Sequence, residues 1–243
     1  KLVSDAVGPP GTVPTLSHGW VWRGLDRFVH DVVSVAEEAG VRLAAHPDDP
    51  PMPTMRGQPR LVYQPGMYQR LSDLAPSPSN ALELCVGTLA EMTEGDIYEA
   101  VDRYSGQGKI AYIHLRNVVG KVPSYRETFI DEGDVDMLRI LAILAKNKFD
   151  GVVIPDHTPQ MTCPAPWHAG IAHTIGFILA AHAMLETSAK PGPPERRPPA
   201  GRRAGTRPPA GTPPAPAPAA LPRRPPRGSA GLPRSGRRRA CGT

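Results

Sequence analysis

Ile110–Asn117, IAYIHLRN, is a short apolar run of β character that stops at a histidine and turns polar at once. Ile110, Tyr112 and Ile113 favour a pleated backbone, and His114, Arg116 and Asn117 crowd the point where such a strand should end. Three other stretches repeat the design: Val41–His46 before Pro47-Asp48-Asp49-Pro50-Pro51, Ala81–Cys85 before Val86-Gly87-Thr88, and Val152–Asp156 before His157. The terminal residues are His46, Cys85, His114 and Asp156, spaced 39, 29 and 42 positions apart. Each interval holds one helical segment plus loops, the length of a β/α unit. In a parallel barrel, successive strand ends meet above one mouth. Two imidazoles, a thiolate and a carboxylate converging there make a mononuclear divalent-metal site. Taken singly, each has a plainer reading, a hydrogen-bonded loop histidine or a core-filling cysteine. Recurrence at one structural position in four successive units is what favours the metal.

Helical periodicity fills the gaps. Apolar residues from Leu25 to Ala36 predict a helix stopped by Gly40, with Trp20 and Trp22 ahead of it as a packed flank rather than a lid. Arg60–Tyr63 reads as a further extended segment and Met67–Leu74 as a short helix. Glu94–Tyr104 and Asp134–Lys146 read as longer helices, and Gly170–Glu186 as a nearly all-apolar closing helix. Gly120–Gly133 and Thr158–Pro166 are predicted as rim loops. In Pro47–Pro51 the prolines stiffen a loop carrying Asp48 and Asp49, which either orient a ligating imidazole or form an Asx turn.

The net charge of +5 over 243 residues is a misleading average. From Lys190 onward there are 13 basic residues against the single acid Glu195, leaving 15 basic and 22 acidic residues before it. Residues 189–243 also hold 15 of the 31 prolines and no aromatic residue, so the expectation is a catalytic domain over 1–188 and a disordered basic tail over 189–243. The tail's arginine clusters could meet nucleic acid only through non-specific, salt-sensitive contacts. A GC-rich frame read past its natural end explains the same composition, and no nucleic-acid partner is expected. Three unpaired cysteines, Cys85, Cys163 and Cys241, fit a reducing compartment and exclude a disulfide framework. The longest apolar stretch is interrupted by His173 and His182, so a cytoplasmic protein without a membrane partner is expected. The chain opens on Lys1, and a fragment is expected.

His46-Pro-Asp-Asp-Pro-Pro, Cys85-x-Gly-Thr, His114-x-Arg-Asn and Pro155-Asp156-His157, with the acidic stretch Asp131–Met137, resemble the mannonate dehydratase family from about Trp20 to Leu185. The resemblance implies a xylose-isomerase-like TIM barrel, here its C-terminal portion, because about four more β/α units would precede Trp20. It also implies loss of water from D-mannonate to give 2-keto-3-deoxy-D-gluconate, with Mn²⁺ (or Fe²⁺ or Co²⁺) held by His46, Cys85, His114 and Asp156. His157 would face the substrate as general base or acid, with a structural role as its alternative, and Arg116 and Asn117 would contact the sugar acid. Two positions depart from the family's pattern: Ile154 stands where an arginine is common, and no tyrosine follows Tyr125. A sugar isomerase or epimerase on the same barrel, or an inactive metal-binding remnant, is the alternative. An open half-barrel would leave strand edges that favour a homo-oligomer.

Overall fold

The computed structural model describes residues 9–189. The expectations for the first eight residues and for the basic tail lie outside them. Helix α1 (His18–Glu38) starts where the Ser17 side chain accepts the Trp20 N–H, seven residues ahead of the apolar periodicity. Both tryptophans therefore lie within the helix. Trp22 is buried with the Arg70 guanidinium 4.0 Å above its ring, whereas Trp20 is exposed. Gly40, at φ 66°, ends the helix, and the Val41 N–H returns to the Ala36 carbonyl.

Strand β1 (Leu43–Ala45) is followed by a small hairpin of β2 (Thr54–Met55) and β3 (Gln58–Pro59). Arg56 and Gly57 both have positive φ, as a two-residue type I′ turn requires. Of the readings open for Arg60–Tyr63, a short strand or an extended segment, the strand does not form. The Leu61 and Val62 N–H groups donate instead to the Asp48 carboxylate, at 2.6 and 2.7 Å.

The chain then runs through α2 (Met67–Leu74), β4 (Asn80–Cys85), α3 (Val86–Glu91), α4 (Ile97–Gly106) and β5 (Ile110–Leu115). After these come β6 (Asn117–Lys121), β7 (Ser124–Thr128), α5 (Met137–Lys146), β8 (Val152–Pro155) and α6 (Pro166–Ala189). The predicted loop at Gly120–Gly133 is therefore partly a hairpin, β6 pairing with β7 in antiparallel register. The alternation in β7 buries Tyr125 and Thr128 and exposes Ser124 and Arg126, too short a pattern to stand out among polar neighbours.

Strands β1, β4, β5 and β8 form one parallel sheet in that order. A helix lies between each pair of successive strands, α2, then α3 and α4, then α5. The arrangement is α/β with successive β/α units, as expected for a stretch of barrel, and its four strands leave β1 and β8 as edges. All six residues of β4 are buried. Leu82, Leu84, Ile113 and Leu115 carry the core, packed against Tyr68, Val101, Ile140 and Leu144 from the helices. Helix α6 packs on α5 and β8 but leaves Trp167, Ile175 and Leu179 exposed. Among the described residues it is the one helix long and apolar enough to cross a membrane by length and composition, over Pro166–Thr187.

Candidate metal centre

The register that pairs Cys85 with His114 sets these two side by side at the carboxyl ends of β4 and β5. His46 follows β1 directly. One ligand atom from each of His46, Cys85 and His114 lies within 4.8 Å of the other two. The His46 ring is fixed from behind, its Nδ1 2.6 Å from the Pro47 carbonyl. A carbonyl only accepts, so Nδ1 carries the hydrogen and Nε2 is the atom that could ligate an ion. Asp156, just past β8, has Oδ2 3.8 Å from Cys85 Sγ and 3.3 Å from Arg116 Nε. It borders the three-residue cluster without joining it.

Beneath the cluster is a carboxylate that the reading of the sequence overlooked. Glu83 lies two residues before Cys85 on the same face of β4 and is 0% exposed. Its Oε2 is 3.4 Å from His46 Nε2 and its Oε1 3.3 Å from His114 Nδ1. Those separations are ion-pair distances, yet neither oxygen, nor His114 Nδ1, has a partner in hydrogen-bond geometry.

Charge in this space is strongly coupled. Burial alone would raise the Cys85 thiol, but His114, His46 and Arg116 outweigh it and bring it down to about 6. Burial would lower His46, and the Cys85 thiolate with Glu83 reverses that, pushing it up to about 9. His114 is raised mainly by its hydrogen bond to Cys85. Burial pushes Glu83 up to about 7. A buried sulfur whose thiolate form is favoured by two imidazoles and a guanidinium, with a buried carboxylate beneath it, is a donor set suited to a borderline divalent cation.

The second feature of the site is Arg116, 2% exposed at the end of β5. Its guanidinium meets four carboxylates: Asp49 at 2.7 Å, Glu91 at 3.0 Å, Glu127 at 3.2 Å and Asp156 at 3.3 Å. Thr88 Oγ1 is a further 3.1 Å contact. The glycine of Cys85-x-Gly-Thr has a steric reason, because a Cβ on Gly87 would stand 2.5 Å from Arg116 Nε. Tyr125 OH reaches Asp49 Oδ1 at 3.4 Å. Burial near Glu91 and Asp49 holds that phenol above its ordinary range. Asp48 and Asp49 thus divide the work expected of either. Asp48 closes the turn onto Leu61, Val62 and Arg60, and Asp49 reaches Arg116 rather than an imidazole.

His157 is half-exposed, with Nδ1 2.9 Å from Glu127 Oε1 and Nε2 3.5 Å from Asp156 Oδ1. Glu127 comes from the unforeseen strand β7 and bridges His157 to Arg116. Asn117 is 1% exposed and faces the following loop. Its Nδ2 donates to the carbonyls of Ile130 and Val135, and its Oδ1 accepts from Val118 and Val135 N–H. Sequence reasoning missed Glu83, Glu91 and Glu127. The one available signal was the alternation of Glu83 with Cys85 within a run otherwise free of charge.

The sequence and the fold both have counterparts among known proteins. The family profile described as D-mannonate dehydratase (UxuA) matches residues 13–177, more than half of the chain. The mannonate dehydratase of Lactococcus lactis subsp. cremoris is 36% identical over 135 residues, covering 54% of this chain and 37% of that protein. Mannonate dehydratase 2 of Halalkalibacterium halodurans is 34% identical over 140 residues, covering 56% of this chain and 40% of its own length. The chain therefore spans about two-fifths of these relatives. The crystal structure of mannonate dehydratase from Streptococcus suis superposes with a TM-score of 0.62 at 26% identity, over 77% of this chain and 54% of that one. A xylose isomerase domain protein from Planctomyces limnophilus shares the fold at a TM-score of 0.54 and 14% identity, over 68% of this chain and 55% of its own. The chain belongs to the D-mannonate dehydratase (UxuA) family.

Proposed function

We propose that this chain carries the metal-binding side of a hydro-lyase site that removes water from a sugar acid, D-mannonate being the substrate its family is named for. The observation that carries the reading is the buried sulfur of Cys85 between His46 and His114, at the carboxyl ends of adjacent parallel strands. His46, Cys85, His114 and Asp156 would hold the ion, Mn²⁺ or in its place Fe²⁺ or Co²⁺. Such an ion, when bound, supplies Lewis acidity that makes the hydrogen next to the substrate carboxylate easier to remove.

The proton work falls to His157. The Glu127 carboxylate accepts from Nδ1–H at 2.9 Å, which leaves Nε2 to take the C2 proton or to protonate the departing C3 hydroxyl. Breaking the C2–H and C3–O bonds releases water and an enol, which becomes the 2-keto-3-deoxy acid. Arg116 and Asn117 serve from behind. Arg116 offsets the charge of Asp49, Glu91, Glu127 and Asp156, and Asn117 fixes the loop that leaves β5. A cytoplasmic location and a soluble sugar-acid partner belong to the same reading.

The test is to dialyse the full chain against Mn²⁺, Fe²⁺, Co²⁺ and Zn²⁺, measure bound ion per chain, and assay D-mannonate for a 2-keto-3-deoxy product. Wild type should bind, Cys85→Ser and Asp156→Asn should bind less, and Cys163→Ser, at an exposed thiol, should match wild type. Equal occupancy in wild type and Cys85→Ser removes the centre. An aldonate isomerised without loss of water assigns the chain to the isomerase alternative.

A further inference from the structure

We propose that Glu83 is a positioning residue of the metal centre: a buried carboxylate beneath His46 and His114 on which ion binding depends. The inference rests on the metal-centre reading above and adds to it a residue that does not stand at a strand end. Pleating sets Glu83 one layer below Cys85 on the same face of β4, in register with Tyr112 on β5. It is completely buried, and no arginine or lysine among the described residues forms an ion pair with it.

A carboxylate in that position is costly unless cations or donors compensate it. Glu91, equally buried at the end of α3, has Arg116 at 3.0 Å. The cationic groups paired with Glu83 among the described residues are the two imidazoles, at 3.4 and 3.3 Å. The two acids thus differ in their nearest cation, a guanidinium for Glu91 and imidazoles for Glu83.

The geometry gives Glu83 a definite task at His114. His114 Nδ1 is buried, and Glu83 Oε1 stands 3.3 Å from it, within ion-pair reach though not aligned for a hydrogen bond. A hydrogen on Nδ1 shared with that carboxylate would fix the tautomer that leaves Nε2 free for an ion, and it would hold the ring against rotation. His46 already has the equivalent support from the Pro47 carbonyl, so Glu83 adds only charge there. The carboxylate lies outside the set of three atoms that approach one another within 4.8 Å. It therefore acts through the imidazoles and is not counted as a ligand.

The experiment is a calorimetric Co²⁺ titration of the full chain, with the visible absorption of bound Co²⁺ recorded for wild type, Glu83→Gln, Glu83→Leu and Cys85→Ser. Glu83→Gln keeps the shape and loses the charge, and affinity should fall by about 10- to 100-fold. Glu83→Leu also removes the acceptor and should bind more weakly still, with a shifted absorption band because His114 is free to turn. Circular dichroism checks that each variant is folded, and the isosteric Gln variant carries the test if Leu is not accommodated. Both Glu83 variants binding Co²⁺ as tightly as wild type, with an unchanged band, while Cys85→Ser has lost it, would overturn the role of Glu83 and leave the centre standing. Wild type and Cys85→Ser binding alike would overturn the centre itself, and this inference with it.

Discussion

The inner strands β4 and β5 and the outer strands β1 and β8 each deliver one residue to the site, but they hold it by different means. Every residue of β4 is buried, and Cys85 and His114 are fixed by a shared register and by the core behind them. On the outer strands Leu43 is 37% and Val152 62% exposed. His46 and Asp156 are held instead by polar contacts, the Pro47 carbonyl and the Glu83 carboxylate for one and the Arg116 guanidinium with Cys85 and His157 for the other. Packing thus sets the inner half of the centre, and hydrogen bonds and charge set the outer half. The two halves should fail separately.

The largest expected effect is on packing. Ile113→Ala empties a fully buried site on β5 and should cost about 2–5 kcal/mol in urea unfolding, against under about 0.5 kcal/mol for Val152→Ala on the edge. Similar losses at both positions would end the contrast between inner and outer strands. Next is Gly87→Ala, whose new Cβ would meet Arg116 Nε at 2.5 Å and displace the guanidinium. Overpacking of this kind costs about 1–3 kcal/mol. It should release Asp156 while leaving the Cys85–His114 pair intact, so bound Co²⁺ should weaken with its thiolate absorption retained. Loss of the thiolate band would show the two halves to be one unit.

A smaller, pH-dependent effect comes from Glu91. Burial raises its carboxyl from 4.5 to about 8, Arg116 pulling against and Asp49 adding to the rise. The folded chain holds that proton more tightly than the unfolded one. Stability from this group is therefore greatest below the unfolded value, falls as pH rises toward about 8, and levels off beyond. Glu91→Gln, fixed in the neutral form, should flatten the fall in unfolding free energy between acid and mildly alkaline buffer, and an unchanged slope would remove Glu91 as its source. The smallest effect concerns the open edge. Val152→Lys should reduce self-association in sedimentation velocity without altering the melting temperature, because a lysine on an exposed edge discourages strand pairing.

The four strands of the sheet were the legible part. Apolar runs ending in His46, Cys85, His114 and Asp156 reveal them, most plainly β4 with all six residues buried, and the β/α spacing gives their order. Glu83, Glu91 and Glu127 were hidden, since an acid in a pattern normally marks the solvent side and only the coordinates show these facing inward. The β6–β7 hairpin went unread for want of length, and Glu127 with it. Helix α1 was entered late because the apolar period begins at Leu25, whereas the Ser17 cap decides where the backbone turns helical. Ile154, which stands where the family commonly has arginine, lies in register with His114, and the guanidinium nearest Asp156 comes from Arg116 on the adjoining strand.

Asn117 has one further consequence. Its amide makes two donor and two acceptor bonds across the turn, and a Cβ on Gly133 would overlap it. The loop around 130–135 is thereby tied to the last residues of the sheet, so the two should open together. In deuterated buffer the amide hydrogens of Val118 and Val135, both bonded to that side chain, should persist as long as those in the middle of β5. Exchange there would report the unfolding of the whole domain, not the fraying of a rim.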